Sequence, residues 1–442
     1  MASDLLHIKD GYYFDVPKTF VKSNRAKVED FPEWFVRLDD DFQQWEADRV
    51  VKFLGEKGVE SKHLENLKSH WLEWQHASHK NHAWPMHAFL EAKVADIRKE
   101  AKRWAAKQVP PPGNAVQGYI AVNPNQEYVW MERFLSDPVT SRDWSQWKMT
   151  NAGHDVVETY LKESPGANWS SEKLFAYNRS LDGKILIPQP FGTLKNAYEP
   201  LQGFCISKFM IIEVIVAILM IVMFRWLAKR VSSGSAPKGK TWNLLEGLLQ
   251  FVRNGLLVPA MGEHDADDFL PFFWTAFMFI FGCNLAGMIP WLGSPTASLG
   301  MTGVMAVIVF LIGTTLGIRE FGVLGFLKNI VPSMGLPLYL GIFIIPMLWV
   351  IEFASLLIKH FILAMRLLAN MVAGHSVLLG IMGLAIGAHA MTMSTPTWTL
   401  ATVLSLAMTT ALSVLELFIA FLQAAIFTFH GALFISSAKH HH

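Results

Sequence analysis

The sequence predicts an all-α membrane protein with five to six membrane helices, preceded by a mostly helical soluble region. Of the 442 residues, 52% are hydrophobic, and the longest apolar runs all lie after position 205, where they reach bilayer-spanning length. Most of the charge lies in residues 1 to about 200, much of it among apolar residues at helical spacing. Residues 1–200 and 201–442 are therefore predicted to be separate domains.

In the soluble region, residues 30–108 follow a helical pattern, which predicts long helices or a hairpin. The proline-rich run at 110–113 ends that pattern. Residues 114–200 combine turn signals, aromatics and short apolar runs, which predicts a small mixed or irregular segment. The many tryptophans of this half are typical of core and interface packing.

Four histidines cluster in HASHKNHAWPMH: His76, His79, His82 and His87. No cysteine or carboxylate stands at zinc-ligand spacing beside them, so a solvated histidine-rich surface is favoured over a metal site. The two cysteines suggest no disulfide framework. A net charge of +1 gives no argument for nucleic-acid binding. The sequence thus predicts no metal, no cofactor and no nucleic-acid partner.

The membrane region begins with an apolar run at 206–226, and the loop after it is rich in lysine and arginine. The positive-inside rule places this loop in the cytoplasm, and the first 200 residues on the opposite face. Residues 242–259 form an amphipathic stretch suited to the interface. Spans are predicted at 269–289 and 300–318. The last two apolar stretches, 337–388 and 397–437, exceed one span and must tilt, break or lie slanted.

Within the last two stretches, the formal charges are Glu352, Lys359, Arg366 and Glu416. A charge at mid-bilayer costs about 2.5–3.5 kcal/mol even on a lenient scale, which indicates function. The first three are spaced by seven residues, so a helix places them on nearly one stripe, which Asn370 extends. Because guanidinium does not lose its proton, Arg366 must face water, a carboxylate or both.

The final stretch has its own polar heptad, which consists of Thr409, Glu416, Gln423 and His430. Two polar stripes on two long helices could simply hold the helices together. Alternatively, Glu416 and His375 could face each other across a hydrated cleft and relay protons. The ionisable side chains favour the functional interpretation.

The segment RLLANMVAGH, at 366–375, strongly resembles the signature of subunit a of the F-type ATP synthases, the stator half of the proton path. The resemblance covers roughly residues 200–437 and includes FRWLAKRVSSG, CNLAGMIPW, PTASLGMTGVMAV and LELFIAFLQAAIF. It implies that two offset half-channels carry protons to and from a carboxylate of a rotor ring, so that proton flow drives ring rotation and ATP synthesis.

The resemblance also implies residue roles. Arg366 matches the arginine that exchanges protons with the rotor carboxylate, and Asn370 and Gln423 match its polar neighbours. His375 and Glu416 match the pair on the non-cytoplasmic half-channel. Their order here is histidine first, as in mitochondrial members, whereas many bacterial members have glutamate first. Two further residues belong to the cytoplasmic half-channel: Glu352 as its acid and Lys359 as a possible basic neighbour.

The resemblance implies four kinds of partner: rotor c-ring subunits, peripheral stalk subunit b, other F0 subunits and the lipid bilayer. The chain would not be catalytic on its own. A bacterial plasma membrane is favoured over the mitochondrial inner membrane because the loop after the first span looks bacterial. Two features depart from the family: Asn284 lacks the acids that follow it in some members, and the long N-terminal region has no counterpart. The alternative is a secondary transporter or ion channel with an Arg/Glu/His relay.

Overall fold

The computed structural model describes residues 10–78, 81, 83–108, 113–232, 234, 239–289, 292–329, 338–386 and 394–439. Two compact units are present. One is Val16–Ile206, and the other is the remaining described chain, which includes residues 10–15. Both units are mainly helical, which confirms the predicted fold class. The membrane face on which the first unit lies stays a prediction.

Among its described residues, the first unit contains ten α-helices and two regions of strand. The helices are α1 Glu33–Arg37, α2 Asp40–Glu56, α3 Ser61–Leu64, α4 Leu67–Ala77, α5 Met86–Ala105, α6 Ala115–Val122, α7 Val129–Ser136, α8 Pro138–Ala152, α9 Asp155–Glu163 and α10 Ser171–Leu181. The strands of the chain are β1 Tyr13–Asp15, β2 Lys184–Leu186, β3 Gly192–Asn196 and β4 Glu199–Gly203. Strands β3 and β4 pair as an antiparallel hairpin. Short 3₁₀ turns lie at Val28–Asp30 and Pro165–Ala167.

The predicted helical pattern over residues 30–108 is confirmed by α1 to α5. The apolar faces of α2, α4 and α5 meet those of α7 and α8 in a core that contains Val50, Leu54, Trp71, Phe89 and Trp144, all at most 2% exposed. Burial of these large side chains is the main favourable term in folding. The tryptophans at 71 and 144 therefore serve the packing role that the sequence favoured.

Residues 114–200 were predicted to be a small mixed or irregular segment. The structure has five helices there together with strands β2 and β3, so the segment is mixed and the irregular alternative is wrong. Several of the polar residues that indicated turns are helix N-caps. The side chain of Asn114 accepts hydrogen bonds at the start of α6, Asp137 does so at α8 and Ser170 at α10. Such residues satisfy the free backbone N–H groups of a first turn. Turn signals and helix starts thus look alike in sequence.

In the part of the second unit that the structure describes, there are seven α-helices and a π-helical segment. The helices are α11 Lys208–Val231, α12 Lys240–Gln250, α13 Val258–Met261, α14 Glu263–Gly287, α15 Leu299–Asn329, α16 Leu338–Ile386 and α17 Thr395–Lys439. The π-helical segment Phe251–Leu257 joins α12 to α13, and a 3₁₀ turn lies at Pro295–Ala297. Among the described residues, five helices are long and apolar enough to cross a membrane: α11, α14, α15, α16 and α17. The predicted spans are confirmed.

The two C-terminal helices, α16 and α17, have 49 and 45 residues. At 1.5 Å per residue they are about 74 and 68 Å long, more than twice a hydrocarbon core of about 30 Å. Neither breaks, although Pro346 lies inside α16. Of the three predicted outcomes, a break is excluded, and helices this long must run at a steep slant or extend beyond the core.

Helix α17 is the central element of this unit, because it packs against α13, α14, α15 and α16. Its inward face carries small buried residues, among them Ala420, Ala424 and Gly431. A Cβ atom on Gly431 would lie 3.1 Å from the ring of Phe273 and 3.4 Å from Val309. Small residues let helix backbones approach closely in membranes, where packing replaces the hydrophobic effect between helices. The position of α17 is thereby fixed from several sides.

Candidate functional site

The acid–imidazole pair lies where α16 meets α17. Nδ1 of His375 is 3.0 Å from Oε1 of Glu416, and the two side chains are only 13% and 10% exposed. The atoms are at contact distance, but the angle departs from that of a hydrogen bond, and Nε2 of His375 has no hydrogen-bond partner among the described residues. A small rotation or a bridging water is therefore needed before a proton can pass between them.

Gly374 allows the carboxylate of Glu416 to come close to α16. A Cβ atom on Gly374 would lie 2.9 Å from Oε1 of Glu416, closer than ordinary van der Waals contact. The carboxylate thus rests against the backbone of α16, one position before its imidazole partner. Sequence reasoning missed this role, because a glycine in an apolar helix has many explanations until its neighbour is known.

The polar heptad of α17 faces its neighbouring helices. Glu416 and Gln423 are buried, and Thr409 and His430 are half-buried. On the same face, Ser405 donates a 2.7 Å hydrogen bond to the carbonyl of Ile381 on α16. Part of this stripe therefore does hold helices together, as the structural alternative predicted. The hydroxyl of Thr409 has no hydrogen-bond partner among the described residues, although its oxygen is buried.

The environment of Arg366 differs from that of the largely buried His375–Glu416 pair. It is exposed on α16, on a face that also carries the exposed apolar side chains of Ile358 and Ile362. The ion pairs among the described residues of this unit are Arg253–Asp267, His264 with Asp265 and Asp268, His375–Glu416 and Lys439–Asp265, so Arg366 belongs to none. A fixed cation on a membrane helix requires compensation, so the outward face of α16 lacks its counter-charge.

The other predicted residues flank Arg366 along the same continuous helix. Glu352 and Asn370 are half-buried, and Lys359 is exposed. At 1.5 Å per residue, Glu352 lies about 21 Å from Arg366 along the axis and His375 about 14 Å in the other direction. The structure thus places the two candidate acid sites on opposite sides of the arginine and does not bring them together.

A buried polar network that sequence reasoning missed ties α14 to α17. The amide of Asn284 donates to the carbonyl of Ala420 at 3.1 Å, one turn beyond Glu416. Thr296 donates to Oδ1 of Asn284 at 2.7 Å and is itself 2.8 Å from the hydroxyl of Ser294. All three side chains are fully buried. The network holds α17 against α14 close to the acid–imidazole pair. The run GSPT, rich in turn and hydroxyl residues, was its signal.

His360 is a second buried imidazole on α16, 7% exposed and placed between the rings of Phe310 and Phe434. Its Nδ1 lies 2.9 Å from the carbonyl of Leu356 one turn earlier, and its Nε2 has no described hydrogen-bond partner. Aromatic packing on two sides is typical of a core histidine.

In the histidine cluster of the first unit, His76 is exposed as predicted. The prediction of a solvated surface was wrong for His87, which is largely buried. His79 and His82 lie outside the described residues.

Five membrane-length helices among the described residues, with ionisable groups on and between the two longest, define a multi-pass membrane protein. A model of the family described as ATP synthase A chain matches residues 210–436. The chain belongs to this family, as the sequence resemblance predicted. Membership favours the ATP synthase interpretation over a secondary transporter or another channel.

Known relatives carry the name ATP synthase subunit a. One from Anaeromyxobacter sp. (strain Fw109-5) is 39% identical over 229 residues, which are 51% of this chain and 52% of the relative. One from Anaeromyxobacter dehalogenans (strain 2CP-1 / ATCC BAA-258) is 42% identical over 209 residues, or 47% and 50% of the two chains. One from Chloroherpeton thalassium is 34% identical over 279 residues, or 61% and 78%. The matched segment thus spans about half the length of the first two relatives.

Proposed function

We propose that this chain is the proton-translocating stator subunit of an F-type ATP synthase. The observation that carries the proposal is Arg366, which is exposed on the outward face of α16 and unpaired among the described residues, with an acid site on either side of it along the helix. Family membership supports the same conclusion. The missing counter-charge is then supplied by another subunit, a rotor ring whose carboxylates pass Arg366 in turn.

On the non-cytoplasmic side, Glu416 and His375 form the end of one half-channel. Their contact at 3.0 Å supports a relay, because one group can release a proton as the other accepts it. Burial keeps both groups out of bulk water, so a proton that reaches them is directed to the rotor site. Gln423, buried on the same face of α17, is a polar neighbour on this route.

Arg366 separates the two half-channels. Its fixed positive charge stabilises the ionised rotor carboxylate and so favours proton release as the carboxylate passes. The same charge repels a proton that would cross directly between the channels. Asn370, one turn further along α16, is placed to hydrogen bond in the same contact zone.

Glu352 is the acid of the cytoplasmic half-channel, and Lys359 is its possible basic neighbour. A neutralised rotor site enters the lipid, travels with the ring and releases its proton near Glu352. Each proton delivers about 2.3 kcal/mol per 100 mV, so several are needed for one ATP. The lateral offset of the half-channels converts this energy into ring rotation.

The proposed partners are the rotor c-ring subunits, peripheral stalk subunit b, other F0 subunits and the lipid bilayer. The chain is not catalytic on its own and needs no cofactor for this role. We place it in a bacterial plasma membrane, which the bacterial origin of its relatives supports. Residues 1–200 are proposed to form an extension on the non-cytoplasmic face.

Cysteine crosslinking to the carboxylate helix of the cognate rotor subunit tests the proposal. Single cysteines at the exposed positions 362, 366 and 369 of α16 should crosslink to that helix in native membranes. Cysteines at Leu363, Ala364 and Leu367 should not, because these side chains are at most 5% exposed within the unit. Crosslinks that do not follow exposure, or none at all in membranes with an assembled ring, would contradict the proposal.

A further inference from the structure

An apolar surface without charged residues lies at the open end of the β3–β4 hairpin in the first unit. The segments that form it, 185–194 (ILIPQPFGTL) and 200–206 (PLQGFCI), contain no lysine, arginine, aspartate or glutamate. Pro190, Phe191 and Phe204 are exposed, and the two phenylalanines are 70% and 59% exposed. We call these three residues the apolar patch. Exposed apolar residues that cluster usually mark an interaction site, whereas scattered single ones need no explanation.

The hairpin holds the two phenylalanines on neighbouring backbone positions. Gly192 pairs with Gly203, and one step further the N–H of Phe204 donates to the carbonyl of Phe191 at 3.1 Å. Gly203 has a left-handed φ of 76°, and a Cβ atom on it would overlap the carbonyl oxygen of Phe191. The two backbones therefore approach more closely than a side chain at position 203 would allow.

The patch is fastened to the segment that leads into α11. The side-chain amide of Gln189 donates to the carbonyl of Ile206 at 2.9 Å and accepts from its N–H at 2.7 Å. The chain then reaches Lys208, the first residue of α11, which has the length and hydropathy of a membrane span. Four peptide links connect Phe204 to Lys208, and at about 3.8 Å per link their Cα atoms lie at most about 15 Å apart. The patch is thus close to the point where the chain enters the bilayer.

Two other exposed phenylalanines of the first unit have a different setting. Phe175 on α10 is 71% exposed, and Phe20 is 74% exposed. Phe20 lies between Lys18 and Lys22 in the sequence, and Phe175 follows a lysine by two residues. Single apolar side chains among charged ones are ordinary on a protein surface. The patch differs because it joins exposed aromatic rings with a lack of charge.

We propose that the apolar patch inserts into the interfacial layer of the lipid bilayer beside α11 and fastens the first unit to the membrane. Aromatic side chains are favoured at the level of the lipid headgroups. An uncharged segment also enters that layer without the cost of removing a charge from water. Lipid is favoured over a protein partner, because the covalent link to α11 keeps the patch within reach of the bilayer. The inference requires that α11 spans the membrane, and it is independent of the proton path.

The test uses the full chain in lipid nanodiscs. Cys205→Ser and Cys283→Ala remove the two native thiols. A single cysteine, Phe191→Cys or Phe204→Cys, then carries a fluorophore. A nitroxide on the lipid near its headgroup quenches a label in the interfacial layer, and iodide in the buffer quenches a label in water. Phe175→Cys is the matched control, because its side chain is as exposed but lies on the charged helix α10.

We expect the labels at 191 and 204 to be quenched by the lipid nitroxide about twofold or more strongly than the label at 175, and less strongly by iodide. Equal lipid quenching at the three positions would overturn the proposal. Shielding of 191 and 204 from both quenchers would also overturn it and would assign the patch to a protein contact.

Wild-type protein gives an independent measurement that does not depend on any substitution. A lipid with a photoreactive group near its headgroup is activated in the nanodiscs, and its adducts on the protein are mapped by mass spectrometry. We expect adducts on residues 188–191 and on Phe204, and none on α10. Adducts on α10 without adducts on the patch, or a patch free of adducts while α11 is modified, would contradict the proposal.

Discussion

Two sites with ionisable side chains, His375 and Arg366, lie nine residues apart on α16, and they differ in how the ionisable group is compensated. His375 is half-buried and touches Glu416 of the neighbouring helix, so its partner comes from the same chain. Arg366 is exposed on the outward face and has no carboxylate partner among the described residues. The first site is complete within the subunit. In the proposed function, the second is completed by a negative charge on another molecule.

This difference indicates two different functional roles for the two sites. A buried pair can hold and pass a proton, because its groups are fixed and shielded from bulk water. An exposed cation that cannot lose its proton is suited instead to meet a mobile carboxylate and then let it go. The comparison predicts that substitutions at Arg366 impair its interaction with the carboxylate of the partner subunit. Substitutions at His375 or Glu416 should instead slow the delivery of protons to that carboxylate.

The largest effect is expected for Arg366→Gln. If the proposed function holds, the rotor carboxylate should no longer release its proton as it passes, because the fixed charge is gone. A loss of two pKa units of stabilisation, about 2.7 kcal/mol, corresponds to about a 100-fold fall in ATP-driven proton pumping. Inverted membrane vesicles with a pH-sensitive dye measure this rate. Arg225→Gln, which removes an exposed cation from α11, should leave it unchanged. Normal pumping by Arg366→Gln would refute the assigned role.

A smaller loss is expected at the paired site, where the partner lies in the same chain. Glu416→Gln and His375→Gln should each lower proton pumping about tenfold, equivalent to about 1.4 kcal/mol. The double variant should lose little more than either single variant, because contacting residues that act together are not additive. Exchange of the two side chains, His375→Glu with Glu416→His, should restore part of the rate. Fully additive losses and no rescue would show that the two groups act separately.

Much of this site was predictable from sequence because intramembrane charges are conspicuous. Arg366, Glu352, Lys359 and Glu416 stand out in an apolar region, and heptad spacing put Glu416 and Gln423 on one helical face. The contact of His375 with Glu416 was predicted as a possibility. Its distance depends on how α16 and α17 cross, which no local pattern encodes.

Other features were not predictable because they depend on tertiary contacts. The role of Gly374 appears only when Glu416 lies against it, and the Asn284–Thr296 bond needs a loop to return onto α14. In the first unit, Asn114, Asp137 and Ser170 each cap a helix, in a region where the sequence showed only turn signals. The same short polar side chains satisfy free N–H groups in both settings, so local sequence does not distinguish them.

Gly374→Ala tests whether the geometry of the pair matters apart from its chemistry. The new methyl group would lie 2.9 Å from Oε1 of Glu416, at the end of a flexible side chain that can move aside. The unfolding temperature should therefore change little, whereas proton pumping should fall about threefold, or about 0.65 kcal/mol. Gly380→Ala is the matched control on the same helix, because nothing lies within 4 Å of its Cβ position. Equal pumping by the two variants would mean that the close approach is not needed.

The smallest effect on transport is expected for Thr296→Val. This change alters the hydrogen-bond network near the His375–Glu416 pair and leaves both side chains of the pair unchanged. The change removes the 2.7 Å hydrogen bond to Oδ1 of Asn284 and leaves that buried oxygen without its donor. Interhelical hydrogen bonds in membranes average about 0.6 kcal/mol and reach about 1.7, so a stability loss of about 1–2 kcal/mol is expected in detergent unfolding. Thr410→Val, at an exposed position of α17 where the hydroxyl bonds only its own helix, should cost less. Since Asn284 still donates to Ala420, α17 should keep its place and pumping should remain within about twofold of wild type, a change of about 0.4 kcal/mol. A collapse of pumping without loss of stability would instead make the hydroxyl of Thr296 part of the proton route.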